Sequence, residues 1–332
     1  MKTIALLTSG GDSSGMNAAI RSVVHTGLDM GLRVIGFIQG YQGLIENHFI
    51  EMDSDSVDGI IQRGGTILRS ARSGEFKSDW GQKTSLENLA KNAIDGVVVI
   101  GGDGSLHGAQ VLHDLGVPVA GIPASIDNDI YGTDMAIGVD TALNNIVHAV
   151  DMLRDTASSH DRAFILEVMG RSSGYLAYTS GLACAAEAVI IPEIPYDLDA
   201  IGMRLLEAKR RGRTNSIVIV AEGAGSAYAV ELKMKSFAGF ETRITVLGHL
   251  QRGGEPTVFD RLLGRRLGAA AVKRLVKGQR GFMVGLINNE VVSTSFKDVF
   301  ANKKTLSEKN LAIARQLSGA DRHNPEKESE DA

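Results

Sequence analysis

Apolar residues recur along the chain in short runs that stop at polar, glycine-rich turns, and amphipathic stretches follow several of those turns. Thr3 to Thr8, Arg33 to Phe37, Val97 to Ile100, Ala163 to Val168, Ser216 to Ala221 and Arg243 to Leu247 read as strands, most of them apolar enough to be buried on both faces. After the first turn Ile20, Val23 and Val24 fall on a helical period. After Gly138 the positions Leu143, Ile146, Val147, Val150 and Leu153 line one face of a long helix. Strand, glycine turn and helix in alternation predict an α/β fold with parallel sheets. The pattern recurs in the second half, so a second α/β domain facing the first is expected, with the first crossing near Gly138. A cleft between two such domains suits a two-substrate reaction.

Composition narrows the picture. A chain of 332 residues is long enough for two domains. A net charge of -4 gives no global reason to seek nucleic acid or an anionic membrane. No stretch approaches the roughly 18 apolar residues of a membrane span, and Met1 to Thr8 reads as a strand, not a signal peptide. Cys184 is the single cysteine, so no intrachain disulfide can form, and its apolar neighbours favour a buried small hydrophobe over a nucleophile.

The stretch from Val97 to Asp129 carries the densest chemistry. Gly101-Gly102-Asp103-Gly104-Ser105 lets backbone N–H groups approach phosphate oxygens, and Asp103 adds a hard oxygen ligand suited to Mg2+. Alone, that turn serves equally well as a tight strand-to-helix connection. A second turn, Pro123-Ala124-Ser125-Ile126-Asp127-Asn128-Asp129, brings two carboxylates at i and i+2, one able to act as a base and the other to approach a metal. Ser9 to Asn17 is a third phosphate-approach turn, matching neither Gly-x-Gly-x-x-Gly nor Walker A. Tyr41 stacks on a nucleotide or covers the core. Arg63 to Ser73 reads as a solvated charged loop. His249 is either a satisfied structural histidine or, beside Arg252 and two glycines, a phosphate ligand. The helix from Asp260, with Arg261, Arg265, Arg266, Lys273, Arg274 and Lys277 beside Leu263, Leu267, Val272 and Val276, reads as amphipathic with a solvated basic face.

Ile100 to Ser105 and Pro123 to Asp129 resemble the two signature loops of the 6-phosphofructokinases, and the resemblance extends from Gly11 to Gly254 at the spacing of the bacterial ATP-dependent type. The family usually carries Thr at Ser125 and, in ATP users, Gly at Ala124; the hydroxyl and the small size are kept. The resemblance implies two Rossmann-like three-layer α/β/α domains facing a central cleft: residues 1–138 plus 251–303 for nucleotide, 139–250 plus 304–320 for sugar phosphate, and a disordered tail at 321–332. It implies transfer of the γ-phosphoryl of ATP to the 1-hydroxyl of fructose 6-phosphate, in the cytoplasm. Asp127 would take the proton, Asp103 and Asp129 would place Mg2+, and Arg72, Arg171 and Ser125 would steady the transferring group. ATP would lie on Gly11, Tyr41, Arg72, Ser73, Gly102, Asp103, Gly104 and Ser105. The sugar phosphate would meet Ser125, Ile126, Asp127, Met169, Gly170, Arg171, Glu222, His249, Leu250, Gln251 and Arg252. Arg162 and Arg243 would reach it from a neighbouring subunit of a homotetramer.

Pyrophosphate users of the family tend to carry Asp at Gly104 and Lys at Ala124; neither is present, which favours ATP. Family effector positions fall on Arg21, His25, Arg154, Glu187, Arg211 and Arg213. His25 and Ser54 stand where better-known bacterial members carry arginine, so regulation by ADP or phosphoenolpyruvate is expected to be reduced or absent. Three rivals are a pyrophosphate-dependent phosphofructokinase, a lipid or NAD kinase with a Gly-Gly-Asp-Gly loop, and a catalytically silent nucleotide sensor. The second lacks the Ser-Ile-Asp-Asn-Asp and Gln-Arg-Gly-Gly loops, and the third has no need of Asp127.

Overall fold

The computed structural model describes residues 1–160, 162–213, 215–234 and 241–319, the side chains of residues 158 and 160 excepted. The tail 321–332 expected to be disordered lies outside them. In chain order the elements are β1 (Thr3–Ser9), α1 (Met16–Asp29), β2 (Arg33–Phe37), α2 (Tyr41–Glu46), β3 (Phe49–Glu51), α3 (Asp79–Lys91), β4 (Gly96–Gly101), α4 (Asp103–Asp114), β5 (Val119–Pro123) and α5 (Val139–His160). There follow β6 (Arg162–Val168), α6 (Tyr175–Ala183), β7 (Ala188–Ile190), α7 (Leu198–Arg210), β8 (Ser216–Ala221), α8 (Ala227–Met234) and β9 (Glu241–Val246). The chain closes with α9 (Val258–Val276), β10 (Phe282–Ile287), β11 (Glu290–Ser295), α10 (Phe296–Ala301) and α11 (Glu308–Ser318).

Two compact units form: residues 1–141 with 252–304, and residues 142–251 with the chain from 305 onward. The first break comes after Thr141, three residues past Gly138. The buried Asp260 explains why, because its carboxylate accepts hydrogen bonds from the N–H groups of Gly138 and Thr141, both at 2.8 Å, and holds the first turn of α5 in the first unit.

In the first unit seven strands lie in the order β11-β10-β5-β4-β1-β2-β3, parallel except for the edge strands β11 and β3. Strand side chains alternate between faces. Ile4, Leu6, Val98 and Ile100 therefore enter one core with α1 and α9, while Ala5, Leu7, Val97 and Val99 enter another with α2, α3, α4 and α10. That double burial is why these strands are continuously apolar. In the second unit β7-β8-β6-β9 form an all-parallel sheet. Ile165, Ile190, Val218 and Val220 pack there against Leu198, Ile201 and Leu205 of α7 and Val230 and Met234 of α8.

Candidate active site

Parallel strands present their carboxyl ends at one edge, and register decides which turns meet there. Ser9 of β1 pairs with Gly101 of β4, and Gly101 pairs with Pro123 of β5. The three polar turns that the sequence singled out, at Gly10–Asp12, Gly101–Asp103 and Pro123–Asp129, are thus side by side. The Ala124 N–H donates to the Gly101 carbonyl at 2.9 Å, and the Ser125 hydroxyl accepts from the Asp127 N–H at 3.2 Å. Asp127 is 8% exposed. A base in that position is largely desolvated yet still reachable.

Asp103 opens α4, where the unpaired N–H groups and the helix dipole favour anions. Its side chain is 57% exposed, with His107 Nδ1 3.4 Å away, and His107 stacks on Phe300. The Gly104 position faces open space: a Cβ there would meet nothing within 4 Å, whereas one at Gly11 would come within 3.1 Å of the Arg252 guanidinium. Arg252 itself donates through Nε to the Asp12 carbonyl at 2.8 Å and pairs with the Asp12 carboxylate. It therefore rests on the turn that carries Gly11.

Several predicted ligand residues serve the fold with their side chains. The Tyr41 ring is buried and stacked on Phe76, its hydroxyl donates to the Ser105 carbonyl at 2.7 Å, and burial raises its pKa well above the ordinary phenol value. Of the two roles open to it, covering the core is the one shown. The Ser105 hydroxyl is buried beneath Gly10 and Gly101, where only glycine leaves it room. Ser73 binds Gln42 at 2.8 Å and the Phe76 N–H, and Ile126 lies in the interior.

The stretch around Arg72 is not the freely solvated loop that its charge suggests. Asn17 holds it through the Arg63 and Gly64 carbonyls and the Ile67 N–H, and Thr8 donates to the Arg69 carbonyl. Arg72 remains exposed. The Asn17 signal was the asparagine buried at the start of a helix of otherwise apolar period.

The second unit gathers another group. Glu222, at the end of β8, accepts from the backbone N–H groups of Gly170 and Arg171 at 3.2 and 2.8 Å, fixing the turn after β6 with Arg171 in a left-handed conformation at φ 51. Gln251 is 1% exposed; it accepts from the Met169 N–H at 3.1 Å and donates to the Gly248 carbonyl at 2.8 Å. Its side chain braces these turns. That spends the amide on the fold, although the sequence suggested a sugar-phosphate contact. His249 and Leu250 are exposed beside it.

Arg162 and Arg243 lie elsewhere. Arg162 begins β6 and Met169 follows its end, so about 20 Å of strand separates them at roughly 3.3 Å per residue. Glu241 pairs with both arginines, and the Arg162 hydrogen bond lowers its pKa first. Among the effector positions, Arg154 donates to the Cys184 and Ala185 carbonyls, Glu187 pairs with Arg213 and accepts from the Ile217 N–H, and Arg211 pairs with Glu207. Arg21 and His25 lie on α1, and His25 Nε2 is buried without a hydrogen-bond partner among the described residues, which turns that ring inward.

Lys304 was not singled out in the sequence. Its ammonium donates to Asn128 Oδ1 at 2.9 Å and to the Asp134 carbonyl at 2.8 Å. Burial lowers its pKa to about 8, against the opposing pull of the Asp134 and Asp129 carboxylates. Nothing in the flanking lysine-rich segment marks which lysine turns inward.

Among the described residues no three His, Cys, Asp or Glu side chains converge as a metal cage. Mg2+ is commonly held by one or two carboxylates together with substrate phosphates, and the exposed Asp103 with Asp129 on the adjacent turn suits that donor set.

A profile of the family described as Phosphofructokinase matches residues 3–275. A protein of Thermotoga neapolitana named ATP-dependent 6-phosphofructokinase is 52% identical over 319 residues, which is 96% of this chain and 100% of that relative. One of Halalkalibacterium halodurans with the same name is 51% identical over 318 residues, again covering 96% and 100%. Phosphofructokinase from Saccharomyces cerevisiae superposes with a TM-score of 0.86 at 35% identity, over 97% of this chain; this chain spans 48% of that one. A pyrophosphate-dependent phosphofructokinase from Marinobacter aquaeolei, at 20% identity, has a TM-score of 0.83 over 96% of this chain and 92% of that one, a likeness of fold alone. With the three turns in register at one sheet edge and identity running the full length of such relatives, the chain belongs to the phosphofructokinase family.

Proposed function

We propose that the protein is an ATP-dependent 6-phosphofructokinase, which transfers the γ-phosphoryl of ATP to the 1-hydroxyl of fructose 6-phosphate in glycolysis. The observation that carries this reading is identity of about half the residues over the whole length of relatives bearing that name. The donor choice has its own support. Gly104 has an ordinary helical backbone and open space around it, so the fold tolerates a side chain there. Room for a nucleotide is the remaining reason for a glycine. Ala124 likewise leaves out the lysine that would favour the compact pyrophosphate.

Phosphoryl transfer needs an oriented hydroxyl, a base and positive charge around the equatorial oxygens. Asp127 accepts the proton of the sugar hydroxyl, held in place by its backbone bond to Ser125. Arg72 and Arg171 offset charge on the transferring group, and Gly11, Gly102 and the start of α4 offer backbone N–H groups to phosphates. Asp103 and Asp129 would hold Mg2+, which would supply positive charge to offset that of the phosphates. Glu222 sets the Met169–Arg171 turn, while His249 and Arg252 provide the donors for the 6-phosphate. Arg162 and Arg243 complete that site in a homotetramer. No helix among the described residues is long and apolar enough to cross a membrane, and we assign the enzyme to the cytoplasm.

A coupled assay with fructose 6-phosphate and either ATP or pyrophosphate tests this. Turnover with ATP is expected, with Asp127→Asn lowering kcat by about 10²- to 10⁴-fold. Turnover with pyrophosphate alone, or a fully active variant, would sink the assignment.

A further inference from the structure

The turn that carries Asp127 is closed by a polar knot, and one member of that knot comes from the far end of the first unit. Asn128 sits in the left-handed region at φ 51, a conformation that needs support. Its side-chain oxygen accepts from the Ala136 N–H at 3.1 Å, and its amide donates to the Asp134 carbonyl at 3.2 Å. Those bonds span the turn from 128 to 136. The Lys304 ammonium then donates to the same two oxygens, Asn128 Oδ1 and Asp134 O, from a position 176 residues away in the chain. Each oxygen therefore has two donors.

The surroundings give the ammonium a second task. The far side of the turn is already fixed, because the Asp134 carboxylate accepts from the Asn288 N–H at 2.7 Å and Thr133 accepts from the Leu286 N–H at 3.1 Å. Those bonds hold the Thr133–Asp134 end, and the Lys304 bond to Asn128 Oδ1 falls at the other end, next to Asp127. The Lys304 ammonium also faces the Asp129 and Asp134 carboxylates together. Lys304 is the last residue of the first unit before the chain leaves it.

We infer that Lys304 is a positioning residue for phosphoryl transfer, bracing Asn128 so that the adjoining Asp127 carboxylate is held where the acceptor hydroxyl must lie. The inference rests on the role proposed above for Asp127. A lysine suits the place because its compact ammonium can serve two carbonyl oxygens at once. Loss of the ammonium leaves each oxygen one partner, so the turn should persist while its placement loosens. A displacement of about 1 Å at a reacting group can cost on the order of 100-fold in rate.

The test is steady-state kinetics of the full chain carrying Lys304→Met and Lys304→Arg, with thermal unfolding of each. Lys304→Met is expected to lower kcat by about 10- to 100-fold, with the KM values for ATP and fructose 6-phosphate within about threefold of wild type, and Lys304→Arg to recover part of the loss. In an Asp127→Asn background Lys304→Met should cost little more, because both changes act on one group. An undiminished kcat, a loss carried by KM, or an equal loss in the Asp127→Asn background would overturn the inference. If Lys304→Met fails to fold, Lys304→Gln, which keeps one donor group, takes its place under the same criteria. Absence of ATP turnover in the wild type would instead overturn the proposed reaction, whatever the lysine variants do.

Discussion

Gly104 and Gly11 both lie in turns suited to phosphate, but for different physical reasons. At Gly11 a Cβ would press on the Arg252 guanidinium, and at Gly104 it would meet nothing. Gly104→Asp is therefore expected to leave the melting temperature unchanged or slightly raised, since it removes a helix glycine, worth about 0.3 kcal/mol, and adds a carboxylate to the first turn of α4, worth about 0.3–1 kcal/mol. ATP turnover should nevertheless fall by tenfold or more, as the new carboxylate repels the nucleotide's phosphates. A parallel fall in melting temperature would show that the glycine serves the fold. The carboxylates and glycines of this edge were legible in the sequence because they cluster within a few residues of strand ends. Lys304 and the bracing role of Gln251 were not, since the Asn128 and Met169 partners lie 176 and 82 residues away. Which lysine is buried, or whether a glutamine faces the substrate or the backbone, is decided by tertiary placement that no local pattern records.

The strands were readable for a related reason: burial on both faces demands an unbroken apolar run, and β2 and β8 begin and end where those runs do. The face of α9 was less so. The helix packs on α1 through Gly264 and Gly268, where a Cβ would come within 2.9 Å of the Ala19 nitrogen and 2.8 Å of its carbonyl oxygen. Small residues at four-residue spacing carry this contact, and a search for large apolar positions passes over them. The start of α9 meets the start of α5 through Asp260, which is fully buried and accepts from Gly138, Thr141 N and Thr141 Oγ1. Burial raises its pKa from 3.8 to about 6, against those hydrogen bonds. Between these values the folded chain holds a proton that the unfolded chain has released. This group's contribution to stability therefore falls as pH rises from about 4 to about 6, by about 3 kcal/mol in all. Asp260→Asn should be destabilising, because its amide faces the Thr141 N–H. That cost should be largest near pH 4 and shrink toward pH 7, as read from urea midpoints across the range. A cost independent of pH would mean that Asp260 is ionised throughout.

For the molecule as a whole, β6 sets a limit on what one chain can do. Its carboxyl end delivers Met169–Arg171 and, beside them, Glu222 and the Gly248–Arg252 turn, while its amino end carries Arg162, with Arg243 one strand over. An arginine side chain cannot span the roughly 20 Å of that strand. If both ends serve sugar-phosphate sites, as the family resemblance implies, they serve different ones, and Arg162 must act on the site of another copy. Closed symmetric assembly makes such sharing reciprocal. The consequence is measurable in hybrids. Asp127→Asn and Arg162→Ala should each be nearly inactive alone. When the two are unfolded together, mixed equally and refolded, about one site in four should pair an intact Asp127 with an intact Arg162 from its neighbour. Activity should then rise toward about a quarter of wild type, and mixing without subunit exchange should give none. If Arg162 instead served its own chain's site, no hybrid could join the two intact residues, and the refolded mixture would stay as inactive as its parents.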